Sequence, residues 1–185
     1  HLGSLAIKHP RMHERRLVNF LDSIKDKASA IYLMGDMFDF WYEFKTVVPK
    51  GYTRFLGKLS ELTDKGIEVH YFIGNHDLWL GDYFQKECGL IIHTQPLTTE
   101  IYGKEFYLAH GDGLGDPDPI FKFLRKMFHS KFLQKLFSSI HPRWTLPFGM
   151  NWAKNSRLKR EDGKEPEYMG EDKEFLVLYS KEYLK

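Results

Sequence analysis

Apolar residues recur at two different spacings along the chain, and the spacing decides which element each stretch can form. Between Arg11 and Lys27, Leu17, Phe20, Leu21 and Ile24 return every three or four positions while Asp22, Lys25 and Asp26 fall on the other side, which predicts an amphipathic helix. Phe55, Leu56, Leu59 and Leu62 repeat that spacing, and Gly66 stands where a C-terminal cap is expected. Ala30 to Met34 (AIYLM) and Ile67 to Ile73 (IEVHYFI) are short, largely apolar runs closed by Gly35 and Gly74. Both read as buried strands, and strand, helix, strand in succession implies a parallel pair.

The second part reads differently. Gly89 to Thr94 and Leu97 to Ile101 are strand-like, and Tyr102-Gly103-Lys104 supplies a turn before Glu105 to Ala109, a pattern that predicts antiparallel pairing. Basic helices rich in aromatic residues follow from Ile120 to about Ile140, then a Pro-interrupted segment through Trp152, a Gly/Glu-rich loop near Gly163, and a final helix from Glu171 to Leu184. No internal repeat or low-complexity tract interrupts the order, so 185 residues read as one α/β (α+β) domain.

Composition narrows the class. No apolar run reaches the roughly 18 to 20 residues that cross a bilayer, and no signal-peptide pattern opens the sequence, which predicts a cytoplasmic protein. The single cysteine, Cys88, excludes an intramolecular disulfide and a cysteine zinc cluster. Net charge is only +2, yet Pro119 to Arg160 holds no Asp or Glu among its ten lysines and arginines. Such a stretch predicts an anionic partner.

The strand-like runs share an ending: "MGDMFD", "IGNHD" and "AHGDG" each deliver Asp, Asn or His just past a strand, at the edge where open α/β sheets build their sites. Singly, Asp36, Asn75 and His110 each have a plain reading as a turn former, a cap or a hydrogen-bonded histidine. Together they offer a carboxylate oxygen, an amide oxygen and an imidazole nitrogen without a thiolate, a donor set suited to Mn²⁺, Fe²⁺, Zn²⁺ or Mg²⁺.

On these motifs the chain resembles the calcineurin-like metallophosphoesterases, whose pattern runs D-x-H, GD-x-x-D, GNH[DE], H and GH-x-H on a sandwich of two mixed β-sheets flanked by helices. "His1-Leu2-Gly3" resembles the end of the first motif, whose aspartate lies two positions earlier in the family; GH-x-H is expected shortly past Lys185. Within that family, "HGDGLG", the insert "FKFLRKMFHSKFLQKLFSSIHPRW", "WAKNSR" and "GEDKEFLVLYSKEYL" resemble the UDP-2,3-diacylglucosamine hydrolases of lipid A synthesis. Some members of that group carry arginine where this chain has His76.

The resemblance implies two divalent cations, Mn²⁺ foremost, with Asp36 bridging them, His1 on one, and Asn75 and His110 on the other. Such a pair activates water and neutralises phosphoryl charge. His76 is then expected beside the phosphate as a proton donor, with Asp77 holding its tautomer. Asp39 is expected either to steer a metal-bound imidazole or to cap a following helix. By motif position, Asp118, Asn155, Ser156, Arg157 and Lys173, with Asn75 and His76, are expected to contact diphosphate and sugar.

The insert, at about 118–160, is expected to be a helical cap. Phe121, Phe128, Phe132, Phe137, Trp144 and Trp152 interleave with its cations, a mixture suited to acyl chains and an anionic bilayer. The expected activity is hydrolysis of the UDP-2,3-diacylglucosamine pyrophosphate to UMP and 2,3-diacylglucosamine 1-phosphate, by a peripheral protein on the cytoplasmic face of the inner membrane, with no nucleic-acid partner. Two alternatives stay open: a phosphoesterase for another nucleotide, phospholipid or phosphoprotein, and a non-catalytic lipid- or nucleic-acid-binding module on the same scaffold.

Overall fold

The first half of the chain forms an α/β layer in the order the hydrophobic pattern predicts. The computed structural model describes residues 1–5, 7–112, 114, 119–161 and 170–183. Helix α1 (Pro10–Ile24) precedes strand β1 (Ala30–Leu33), helix α2 (Thr53–Asp64) and strand β2 (Glu68–Phe72). β1 and β2 pair in parallel, with Ile31 opposite Val69 and Leu33 opposite Tyr71. These inward residues meet Phe55, Leu59 and Leu62 of α2 and Leu21 of α1, all buried, in one core. Each fully buried Leu or Phe contributes on the order of 1.5–3 kcal/mol.

Both ends of α2 are capped. Ile67 N–H bonds back to Leu62 O at 3.1 Å and Gly66 N–H to Thr63 O at 2.9 Å, with Gly66 left-handed at φ 81°, the Schellman arrangement expected of that glycine. At the other end, Arg54 and Phe55 N–H donate to the buried Glu14 carboxylate of α1 at 3.1 and 3.2 Å. An acid at a helix N-terminus satisfies donors that have no partner within the helix.

One strand sits elsewhere than the sequence predicts. β3 (Ile91–His93) joins the parallel sheet beside β2, with Phe72 opposite His93, and is not part of the antiparallel group. The short helix α3 (Tyr83–Cys88) makes the crossover that parallel pairing requires. The antiparallel expectation holds for β4 (Leu97–Ile101) and β5 (Lys104–Leu108), turned at Tyr102 and Gly103. The result is a mixed α/β architecture with one three-stranded parallel and one two-stranded antiparallel sheet among the described residues.

Helices α4 (Pro119–His129), α5 (Lys131–Ser138) and α6 (Pro142–Glu161) follow. The expected Pro-interrupted segment is a continuous helix that runs through Pro147. A proline forfeits one i→i−4 bond, and a 20-residue helix retains the rest. The loop near Gly163 lies outside the described residues. Helix α7 (Phe175–Tyr183) closes the chain against β5, where Tyr107 and Tyr179 hydroxyls meet at 3.1 Å. No described helix is long and apolar enough to cross a membrane.

Candidate metal centre

Asp36 and Asn75 stand just past the ends of β1 and β2, and His110 just past β5. His1 arrives through a parallel bridge: Leu2 N–H donates to Met37 O at 2.7 Å, and Asp39 N–H to Leu2 O at 2.8 Å. The glycines before Asp36 and Asn75 are there because backbones meet. A Cβ on Gly35 would lie 2.9 Å from Gly74 N and 2.6 Å from His110 Nδ1, and one on Gly74 would overlap Asp36. Only glycine allows such an approach, and Gly35 also holds φ 87°.

The Asp36 carboxylate is the hub. Its Oδ2 lies 3.6 Å from His1 Nε2 and 3.5 Å from His110 Nε2, and its Oδ1 accepts the His76 N–H at 2.9 Å. Asn75 Oδ1 is 3.3 Å from His110 Nε2. One donor atom from each of His1, Asp36 and His76 falls within 4.8 Å of the others. The His1 and His76 rings meet edge-on at 4.6 Å between centroids. Four of the sequence-predicted residues, His1, Asp36, Asn75 and His110, are thus brought together, and His76 joins them closely enough to serve as a ligand, a role its motif position alone did not suggest.

Protons are placed by the backbone. His110 Nδ1 lies 2.7 Å from Met34 O and His76 Nδ1 lies 2.9 Å from Asp39 O. A carbonyl can only accept, so each Nδ1 carries hydrogen and each neutral ring presents Nε2 as its basic nitrogen. This is how a ligating histidine is oriented. Hydrogen bonding to Asp36, opposed by burial, pushes His110 up to about 9. Burial works to raise Asp36, but His110 and the His76 N–H prevail and hold it below the usual carboxylate range. Converging oxygen and imidazole donors, with that proton standing where a cation would replace it, fit a divalent metal.

One expected role changes. Asp77 does not orient His76. Its carboxylate is fully buried and accepts from Met37 N–H at 2.9 Å, Gly74 N–H at 2.8 Å and the Tyr71 hydroxyl, while Asp39 O takes the imidazole. Of the two readings of Asp39, the cap fails because the next helix starts at Thr53, while its buried carboxylate lies 3.6 Å from His1 Nδ1, where the steering reading requires it.

The remaining expected contacts are dispersed. Asn155 and Ser156 are exposed on α6 and Lys173 is exposed in the turn before α7. No hydrogen bond or ion pair links them to the Asp36 cluster among the described residues. Asp118 and the side chains of Arg157 and Phe121 lie outside the described residues. Of the aromatic set, Phe132, Trp144 and Trp152 are 75, 69 and 53% exposed. Phe128 and Phe137 instead pack on the core: Phe137 lies 4.9 Å from both Tyr42 and Trp79, and Phe128 lies 5.9 Å from Trp79. The backbone joins there too, Tyr42 donating to Gln134 O at 2.9 Å and Trp79 Nε1 to Phe128 O at 2.8 Å. These two phenylalanines anchor the helical insert and are largely spent in doing so.

Comparison with known proteins extends this geometry. The chain is 40% identical to a UDP-2,3-diacylglucosamine hydrolase of Porphyromonas gingivalis over 99% of its own length and 74% of that protein's. It is 29% identical to one of Neisseria meningitidis, covering 85% of this chain and 65% of the relative. For one of Edwardsiella ictaluri the identity is 30%, over 76% of this chain and 54% of the relative. The chain thus spans from about half to three quarters of the length of these relatives. No protein-family model matches it.

Proposed function

Because the chain belongs to the UDP-2,3-diacylglucosamine hydrolase family, we propose that it hydrolyses the pyrophosphate of that lipid, giving UMP and 2,3-diacylglucosamine 1-phosphate. The reading implies a calcineurin-like sandwich with a helical cap at about 118–160. The observation that carries it is Asp36 Oδ2, placed within 3.6 Å of imidazoles from two separate parts of the chain. In this reading His1 and Asp36 would hold one divalent cation, and Asp36, Asn75 and His110 a second, with Mn²⁺ the best match to oxygen and nitrogen donors. The cations supply charge neutralisation of the pyrophosphate and acidify water.

The chain's own groups do the rest. Asp39 O holds Nδ1–H of His76, so Nε2 is the atom that takes up a second proton and, from the imidazolium form, delivers it to the leaving phosphate oxygen. Asn75 and His76 face the diphosphate, joined by Asp118, Asn155, Ser156, Arg157 and Lys173 once substrate is bound. Exposed Phe132, Trp144 and Trp152 on a segment with no acidic residue suit acyl chains at an anionic bilayer, which supports a peripheral position on the cytoplasmic face of the inner membrane. The test is an Mn²⁺-supplemented assay of the full-length protein against UDP-2,3-diacylglucosamine beside a short water-soluble phosphodiester. Preference for the acylated nucleotide, lost with chelator, is expected. Equal rates on both would remove the substrate assignment and leave a general phosphoesterase.

A further inference from the structure

Asp77 gathers donors from three places without touching an imidazole. Tyr71 reaches it from β2, Gly74 N–H from the loop after β2, and Met37 N–H from the loop after β1. In return, Asp36 Oδ1 accepts the His76 N–H. The two loops therefore exchange carboxylates: each aspartate binds the backbone N–H beside the other. The exchange holds a turn that would otherwise relax, since Asp36 sits at φ 54°, a left-handed backbone that costs an L-residue roughly 1–2 kcal/mol. With the Met37 N–H tied and Oδ1 occupied, Oδ2 is the Asp36 oxygen left between His1 and His110.

We propose that Tyr71 and Asp77 are a positioning pair, which clamps the Asp36 turn and so keeps Asp36 Oδ2 where a divalent cation binds; this rests on the metal-site reading above. The phenol is essential to the clamp because Asp77 is fully buried. A buried carboxylate short of one donor loses much of what offsets its desolvation. Burial already raises both groups: the Asp77 carboxyl sits above its usual range and the Tyr71 phenol well above its own, with the adjacent Asp77 charge adding to it.

The experiment measures Mn²⁺ affinity of the full-length protein by chelator competition, for wild type, Tyr71→Phe and a control core variant from the same strand, Val69→Ala. Amide hydrogen exchange is followed in the metal-free state. Tyr71→Phe is expected to weaken Mn²⁺ binding by about tenfold or more and to speed exchange at Met37 and His76, while Val69→Ala, despite its lower stability, stays within about twofold of wild type in affinity. Should Tyr71→Phe not fold, Asp77→Asn is read in the same way. A tyrosine variant that binds Mn²⁺ as well as the control does overturns the clamp and leaves the metal site standing. Wild-type protein that binds no Mn²⁺ overturns the metal site, and the clamp with it.

Discussion

The parallel-sheet core and the helical insert use their large apolar side chains in opposite ways. In the core, Phe55, Leu59 and Leu62 of α2 are wholly buried, and even the polar Asp77 is enclosed and bonded. In the insert, Phe132 and Trp144 stand 75 and 69% exposed, and attachment to the core runs through Tyr42, Trp79 and the inward rings of Phe128 and Phe137. Stability and site geometry therefore reside in the first region, whereas the second keeps apolar surface that folding alone does not use. A segment that retains so much uncovered aromatic surface beside lysines and arginines is built to meet something else.

The contrast can be broken at several points. The largest effect is expected at the hub: Asp36→Ala should reduce metal-dependent hydrolysis to background in a protein whose circular dichroism is unchanged, and retained turnover would remove the bridging role. Next, Leu59→Ala should cost about 2–5 kcal/mol in urea unfolding, against within about 0.5 kcal/mol for Phe132→Ser; similar losses would mean that the insert is as much a core as the sheet. Third comes pH. His110, facing Asp36 and Asp112, is raised from 6.5 to about 9 in the metal-free protein. Its stabilising contribution is therefore complete below 6.5 and lost as pH rises through about 9. A cation must displace that proton, so Mn²⁺ affinity should climb by up to about tenfold per pH unit over the same window and then level off. Calorimetry in buffers of different ionisation enthalpy would count the proton, and a flat profile would place His110 outside the ligand set. The smallest effect separates the two kinds of aromatic residue. Phe132→Ser with Trp144→Ser should slow the acylated substrate by about tenfold and spare a short phosphodiester, whereas Phe137→Ser should lower both by loosening the insert.

How far these regions can be read without coordinates follows from the physics of each. The strand ends were legible because three short apolar runs finished in ligand-type residues, and Gly66 announced the end of α2 because a left-handed cap favours glycine. The pattern alone groups β3 with the antiparallel strands because its crossover, α3, has six residues, too few for a helical period to show. Pro147 read as a break because a proline signals one locally, although Pro142–Glu161 is long enough to absorb the lost bond. The partners of Asp77 were hidden for another reason. A carboxylate next to a histidine suggests a pair, and only the fold reveals that Met37, forty residues earlier, presents its N–H to the same oxygen as Tyr71. Phe128 and Phe137 could not be told from Phe132 by type, because the sides of α4 and α5 that meet the core are set by Trp79 and Tyr42.

Glu14 ties two parts of the core together. The acceptor for the first free amides of α2 is borrowed from α1, so the start of α2 is satisfied only when the two helices pack together. The strand that α2 delivers, β2, leads straight into Asn75 and His76. Removing that one carboxylate would leave the first amides of α2 without their acceptor and loosen the helix that leads into the loop carrying Asn75 and His76, at a distance in sequence from either.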